Sequence, residues 1–108
     1  MVLKSFVLKG EGKTNTSEEE YDTKVVPSGK KWKVLEVRPY FSRQDNDVEG
    51  YIYMETERIL EMNSQVANVY KRPYPCDVEI PASTELRLTG RTDGTSTDFF
   101  VEVIVSEE

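Results

Sequence analysis

Short alternations of apolar and polar residues run along the whole chain, broken about every 8–12 residues by glycine, proline or small polar side chains, the pattern of a β-sandwich or barrel. The last run is the clearest. Phe99, Val101, Val103 and Val105 fall on one face, while Phe100, Glu102, Ile104 and Ser106 fall on the other. The first run places Val2, Lys4, Phe6 and Leu8 opposite Leu3, Ser5, Val7 and Lys9, which predicts partial cover on both faces. Tyr21, Thr23 and Val25 alternate with Asp22, Lys24 and Val26, and Leu86 and Leu88 point inward from a later run.

Two apolar parities coexist between Lys31 and Ser42: Leu35, Val37 and Phe41 share one, Trp32, Val34 and Tyr40 the other. Pro39 removes a ladder donor and so points to an edge or a bulge there. Residues 55–70 read two ways, because Ile59, Met62, Val66 and Val69 have helical spacing. Their β-rich flanks favour instead a hairpin turn at Thr56-Glu57 and a strand from Arg58 to Met62. Prolines 73, 75 and 81 allow only a short extended piece from Cys76 to Ile80.

The punctuation is turn chemistry. Pro27-Ser28-Gly29 predicts a tight turn with proline at its first central position, and Asp93-Gly94 predicts another. Gly10 to Glu20 reads as a mobile polar loop in which Glu18-Glu19-Glu20 is a solvated charge run. Eight strands follow, at 2–9, 20–26, 31–42, 50–55, 58–62, 76–80, 84–89 and 98–106. The expected fold is all-β, an antiparallel β-sandwich, jelly-roll-like, forming a single domain over residues 1–108.

Composition narrows the chemistry. The chain of 108 residues has no histidine, which removes imidazole metal sites and Ser/His or Cys/His nucleophile systems. Its 14 basic and 20 acidic side chains give a net charge of −6, against a phosphate-neutralising surface, so no nucleic acid is expected as a partner. Residues 1–54 hold nine basic and nine acidic side chains, whereas residues 55–108 hold five and eleven and carry the whole excess. Solubility accounts for that asymmetry, and head-to-tail contact between copies would also use it. No apolar run reaches the roughly 20 residues of a membrane span, and charges break up the first apolar stretch, so neither membrane nor secretion signal is expected. Cys76 is the lone cysteine and reads as a small buried apolar residue.

Motif candidates are few. Gly10-Glu11-Gly12-Lys13-Thr14 ends like a phosphate-binding loop, but Val7 stands where its first glycine belongs. Asp45, Asp47 and Glu49 resemble the opening of a calcium loop, yet the twelfth position is Thr56 rather than glutamate. A polar turn is the simpler reading, and no cofactor is expected. Asn15-Thr16-Ser17 fits a glycosylation acceptor and carries no weight without a secretion signal. Glu36, Glu55 and Glu57 read as solvent-face strand residues rather than a catalytic pair. The aromatics Trp32, Tyr40, Tyr51, Tyr53, Tyr70 and Tyr74 could serve as flat stacking platforms for carbohydrate, and core packing is the competing role for them. Phe100 and Ile104, on the outward parity of the last run, form an apolar strip and an interface unless something covers them.

Val26-Pro27-Ser28-Gly29-Lys30 followed by Trp32 to Val37, together with Ile80-Pro81-Ala82-Ser83 followed by Thr84 to Leu88 and the run from Phe99 to Val103, resembles small jelly-roll structural proteins of viruses and phages. Ser83-Thr84 departs from that pattern where glycine is frequent. The resemblance implies a non-enzymatic virion or assembly subunit that self-associates as a trimer or ring; with no secretion signal expected, its location is the cytoplasm or a virus particle. The alternative is a carbohydrate-binding module, and a protein partner docking on the same strip is a third reading.

Overall fold

The computed structural model describes residues 2–42, 48–63 and 74–108, with the backbone alone for 74–76. Eight strands form among the described residues: β1 (Val2–Lys13), β2 (Glu19–Val25), β3 (Trp32–Phe41), β4 (Glu49–Met54), β5 (Glu57–Asn63), β6 (Tyr74–Ile80), β7 (Glu85–Arg91) and β8 (Thr97–Glu107). They make two four-stranded antiparallel sheets, β1-β8-β3-β6 (sheet A) and β2-β7-β4-β5 (sheet B). Strand one pairs with eight, two with seven, three with six and four with five. This is a long hairpin folded over and wrapped on itself, the arrangement of a jelly roll.

The core lies between the sheets and is built by the expected alternation. Phe99, Val101, Val103 and Val105 of β8 are fully buried, and so are Leu86 and Leu88 of β7. In β3 the two apolar parities are reconciled by a bulge. Its register against both β8 and β6 shifts between Val34 and Glu36. The extra residue Leu35 is thrown outward, so Trp32 and Val34 before it and Val37 and Phe41 after it all face the core. Pro39 is not the bulge. It pairs with Val101 of β8 and lies beyond the last described pair with β6, Val37 with Tyr74.

Three local expectations are corrected. β1 runs on through Gly10 to Lys13, so the segment after residue 10 is strand first and loop second. Gly10 reads as a turn residue in sequence, but its function is to receive Tyr21. A Cβ there would lie 2.7 Å from the Tyr21 ring. The short connection that remains is tied down, with Thr92 N–H donating to the Asn15 carbonyl (2.7 Å) and Asn15 Nδ2 donating to the Gly90 carbonyl (2.7 Å). The first Pro-small turn is offset by one residue: Lys30 N–H bonds the Pro27 carbonyl (3.1 Å), leaving Ser28 and Gly29 central, with Gly29 at φ +78°. The β4–β5 hairpin also turns one residue earlier than expected, at Glu55-Thr56, with Met54 facing Glu57. Residues 57–63 are strand, as their flanks suggested, whereas residues 64–70 lie outside the described residues.

Candidate interaction surface

The two sheets present very different outer faces. On sheet B the chain covers itself. Arg58 lies over the Tyr51 ring with its guanidinium carbon 4.0 Å from the centroid, and it also reaches the Tyr53 ring at 5.4 Å. Arg87 approaches Tyr53 as well (5.3 Å). Glu18, at the end of the β1–β2 connection, accepts from Tyr53 Oη (2.9 Å), Thr89 Oγ1 (2.8 Å) and Arg58 Nη2 (3.0 Å). The Arg58 guanidinium is held protonated first by its bond to Tyr53 and then by Glu61. Beneath it the Tyr51 hydroxyl donates to Glu49, which also pairs with Arg91 (2.9 Å), and burial pushes the Tyr51 phenol up to about 12. Glu18 and Glu20 are therefore ion-pair partners of Arg58 and Arg87, not a free solvated run.

Sheet A is open. Register places its outward side chains in rows across β1, β8 and β3: Lys9, Phe100 and Tyr40; Val7, Glu102 and Arg38; Ser5, Ile104 and Glu36. Phe100 packs against Tyr40 with ring centroids 6.2 Å apart. Arg38 donates to Glu36 (2.7 Å) and lies 3.8 Å from Glu102, so the charges on this face are matched within it. An open groove of about 290 Å³ runs between Leu3, Lys4, Ser5, Arg38, Glu102 and Ile104. Phe100 and Ile104 are half-buried by neighbours in their own sheet, while Leu3 (64% exposed), Tyr40 (57%) and Val7 (45%) around them face solvent. Among the described residues no element covers this face. The result is a contiguous apolar strip with paired charges at its centre.

The stacking platforms fare differently. Trp32 is a core residue. Its ring packs on Phe6 (5.3 Å) and its indole N–H donates to Glu107 (2.9 Å), so it has no face free for a sugar. Tyr51 is buried under Arg58, and Tyr53 is covered by two guanidinium groups. Tyr40 alone of these four is open, and it belongs to the strip. Tyr70 lies outside the described residues, as do the side chains of Tyr74 and Cys76.

Of the calcium candidates, Asp45 and Asp47 lie outside the described residues, and Glu49 is engaged by Tyr51 and Arg91. Among the described residues no group of three or more acidic or cysteine side chains is placed to hold a metal ion. Gly10 to Lys13, read for a phosphate loop, is strand. Phe100 and Ile104 were legible from parity. Leu3, Val7 and Leu35 were not, although the alternation of the first run already set Leu3 and Val7 on one side.

No protein-family model and no curated protein matches the chain. Among solved structures, a chain of the "Acidic stable capsid structure of Helicobacter pylori bacteriophage KHP30" has a similar fold. It is 15% identical, superposes with a TM-score of 0.53, and the match covers 99% of this chain and 98% of that one. At that identity the likeness is one of fold.

Proposed function

We propose that this chain is a non-enzymatic structural subunit of a virus particle that works by associating with further copies of itself through the outer face of sheet A. The observation that carries this reading is the contrast between the two faces. Sheet B is capped by its own loop, arginines and glutamates, whereas sheet A leaves Leu3, Val7, Tyr40, Phe100 and Ile104 without cover from any described element. Apolar area left in water costs about 25 cal/mol per Å², and a second protein surface removes that cost. The fold-level likeness to a phage capsid chain, over nearly the whole length of both, supports a particle as the setting. The absence of histidine and the internally matched charges of the strip support contact rather than catalysis. Sedimentation velocity over a concentration series tests the proposal. Faster-sedimenting species that grow with concentration are expected, and a single-chain boundary throughout would refute it.

A further inference from the structure

β1 is an edge strand of sheet A, paired among the described residues with β8 alone. Its register is unbroken from Val2 opposite Glu107 to Gly10 opposite Phe99, so its backbone groups alternate strictly between β8 and the free edge. Lys9 fixes the phase. Its N–H points away from β8 and is capped by the Asp22 carboxylate (2.9 Å). Leu3, Ser5 and Val7 therefore direct their N–H and C=O groups to the same free side, and among the described residues nothing pairs with them.

Edge strands are normally blunted by charge, proline or a bulge. The other three edges are: β2 carries Glu19, Glu20, Asp22 and Lys24, β5 carries Glu57, Arg58 and Glu61, and β6 carries Pro75, Asp77 and Glu79. Val2 to Val7 has no proline and no bulge, and its one charge, Lys4, is drawn to Glu107 (2.9 Å). Val2, Leu3 and Val7 of β1, with Val25 of β2, make up four of the six exposed large apolar side chains among the described residues.

We infer that the free edge of β1 pairs antiparallel with β1 of a second copy about a two-fold axis at Ser5, continuing sheet A across both molecules. This rests on the self-association proposed above and places a contact at the edge of that face, where Leu3 and Val7 lie. The register follows from the residues. Edge-facing groups must meet edge-facing groups, so odd positions pair with odd positions. Centring on Lys4 sets two lysines side by side. Centring on Phe6 sets Leu3 against Lys9, whose N–H is already taken by Asp22. Centring on Ser5 sets Leu3 against Val7 of the second copy on the outer face, and Lys4 against Phe6, so that no like charges are opposed. The segment Leu3-Lys4-Ser5-Phe6-Val7 is thus complementary to itself, as an isologous contact requires.

Cysteine cross-linking in a Cys76→Ser background tests the register. Ser5 is exposed, so Ser5→Cys leaves the fold intact. Across the axis its Cα atoms stand about 5.5 Å apart, within disulfide range. Two copies of Leu3→Cys stand about 13 Å apart. Mild oxidation should convert Ser5→Cys to covalent dimer and leave Leu3→Cys single. A mixture of Leu3→Cys with Val7→Cys should cross-link. If Leu3→Cys alone links as readily as Ser5→Cys, the register is overturned. If Ser5→Cys stays single while the protein still associates in sedimentation, the seam is wrong and the association stands. No cross-link and no association overturns both.

Discussion

The indole N–H of Trp32 donates to the Glu107 carboxylate across 2.9 Å, joining the first residue of β3 to the last of β8, and Lys4 of β1 reaches the same carboxylate at 2.9 Å. Three neighbouring strands of sheet A are thus tied at one end by a single acid. The Trp32 N–H first, and the Lys4 ammonium second, hold the Glu107 carboxyl below the usual carboxylate range.

A depressed folded-state pKa stabilises the protein above the unfolded carboxylate value near 4.3, and that contribution disappears as pH falls through the lower folded value. Urea midpoints should therefore fall as pH is lowered from about 5 towards 2. Glu107→Gln should start lower at neutral pH and show a shallower fall in that window. An unchanged acid limb in the variant would remove Glu107 from the account.

At the alkaline end the sign reverses in its effect. Burial pushes the Tyr21 phenol up to about 12, partly offset by its bond to Asn15, and burial with the Glu49 carboxylate does the same for Tyr51. Their stabilisation is full below the ordinary phenol value near 10 and is lost as pH rises towards 12. A tyrosinate absorbance titration should show these two ionising late, together with unfolding. Tyr51→Phe should remove one late step.

Ser83 holds φ +64° in the Pro81-Ala82-Ser83 turn, the place that Gly29, at φ +78°, fills in the Pro27 turn beside it. The left-handed region penalises a side chain, so Ser83→Gly should stabilise by about 0.5–1 kcal/mol, net of the added freedom of the unfolded chain. Gly29→Ser should cost a similar amount. Chemical denaturation measures both, and a destabilised Ser83→Gly would contradict the turn assignment.

Gly90 has no such freedom of space. A Cβ there would meet the Tyr21 ring at 2.6 Å and the Glu49 carbonyl, which is backbone, at 2.8 Å. Gly90→Ala should cost about 1–3 kcal/mol through displacement of β4 or of the ring. Gly50→Ala, whose nearest contacts lie at 3.5 Å, should be much milder. Equal effects at the two sites would count against this packing.

The fold was largely written in strand alternation and turn residues, because β8 and β7 bury one parity and each turn carries its own chemistry. What stayed hidden depends on pairs distant in sequence. The Leu35 bulge could not be seen while both parities of β3 were apolar. Gly10 looked like a turn because its partner ring, Tyr21, arrives from the other sheet. Arg58 covers Tyr51 and Tyr53 only through the β4–β5 register, so the tyrosines looked available as platforms. For the strip, the parity of Phe100 and Ile104 was legible, but the openness of Leu3 and Val7 depended on which strand lies at the edge.

Light scattering behind gel filtration on three proteins tests the exposed face most directly: the native chain, Val7→Lys on the outer face of sheet A and at its β1 edge, and Glu61→Lys on sheet B. The native chain and Glu61→Lys should exceed the single-chain mass of 12.4 kDa as concentration rises, while Val7→Lys stays at it. A native mass of 12.4 kDa at every concentration, or a Val7→Lys protein that associates like the other two, would contradict the account.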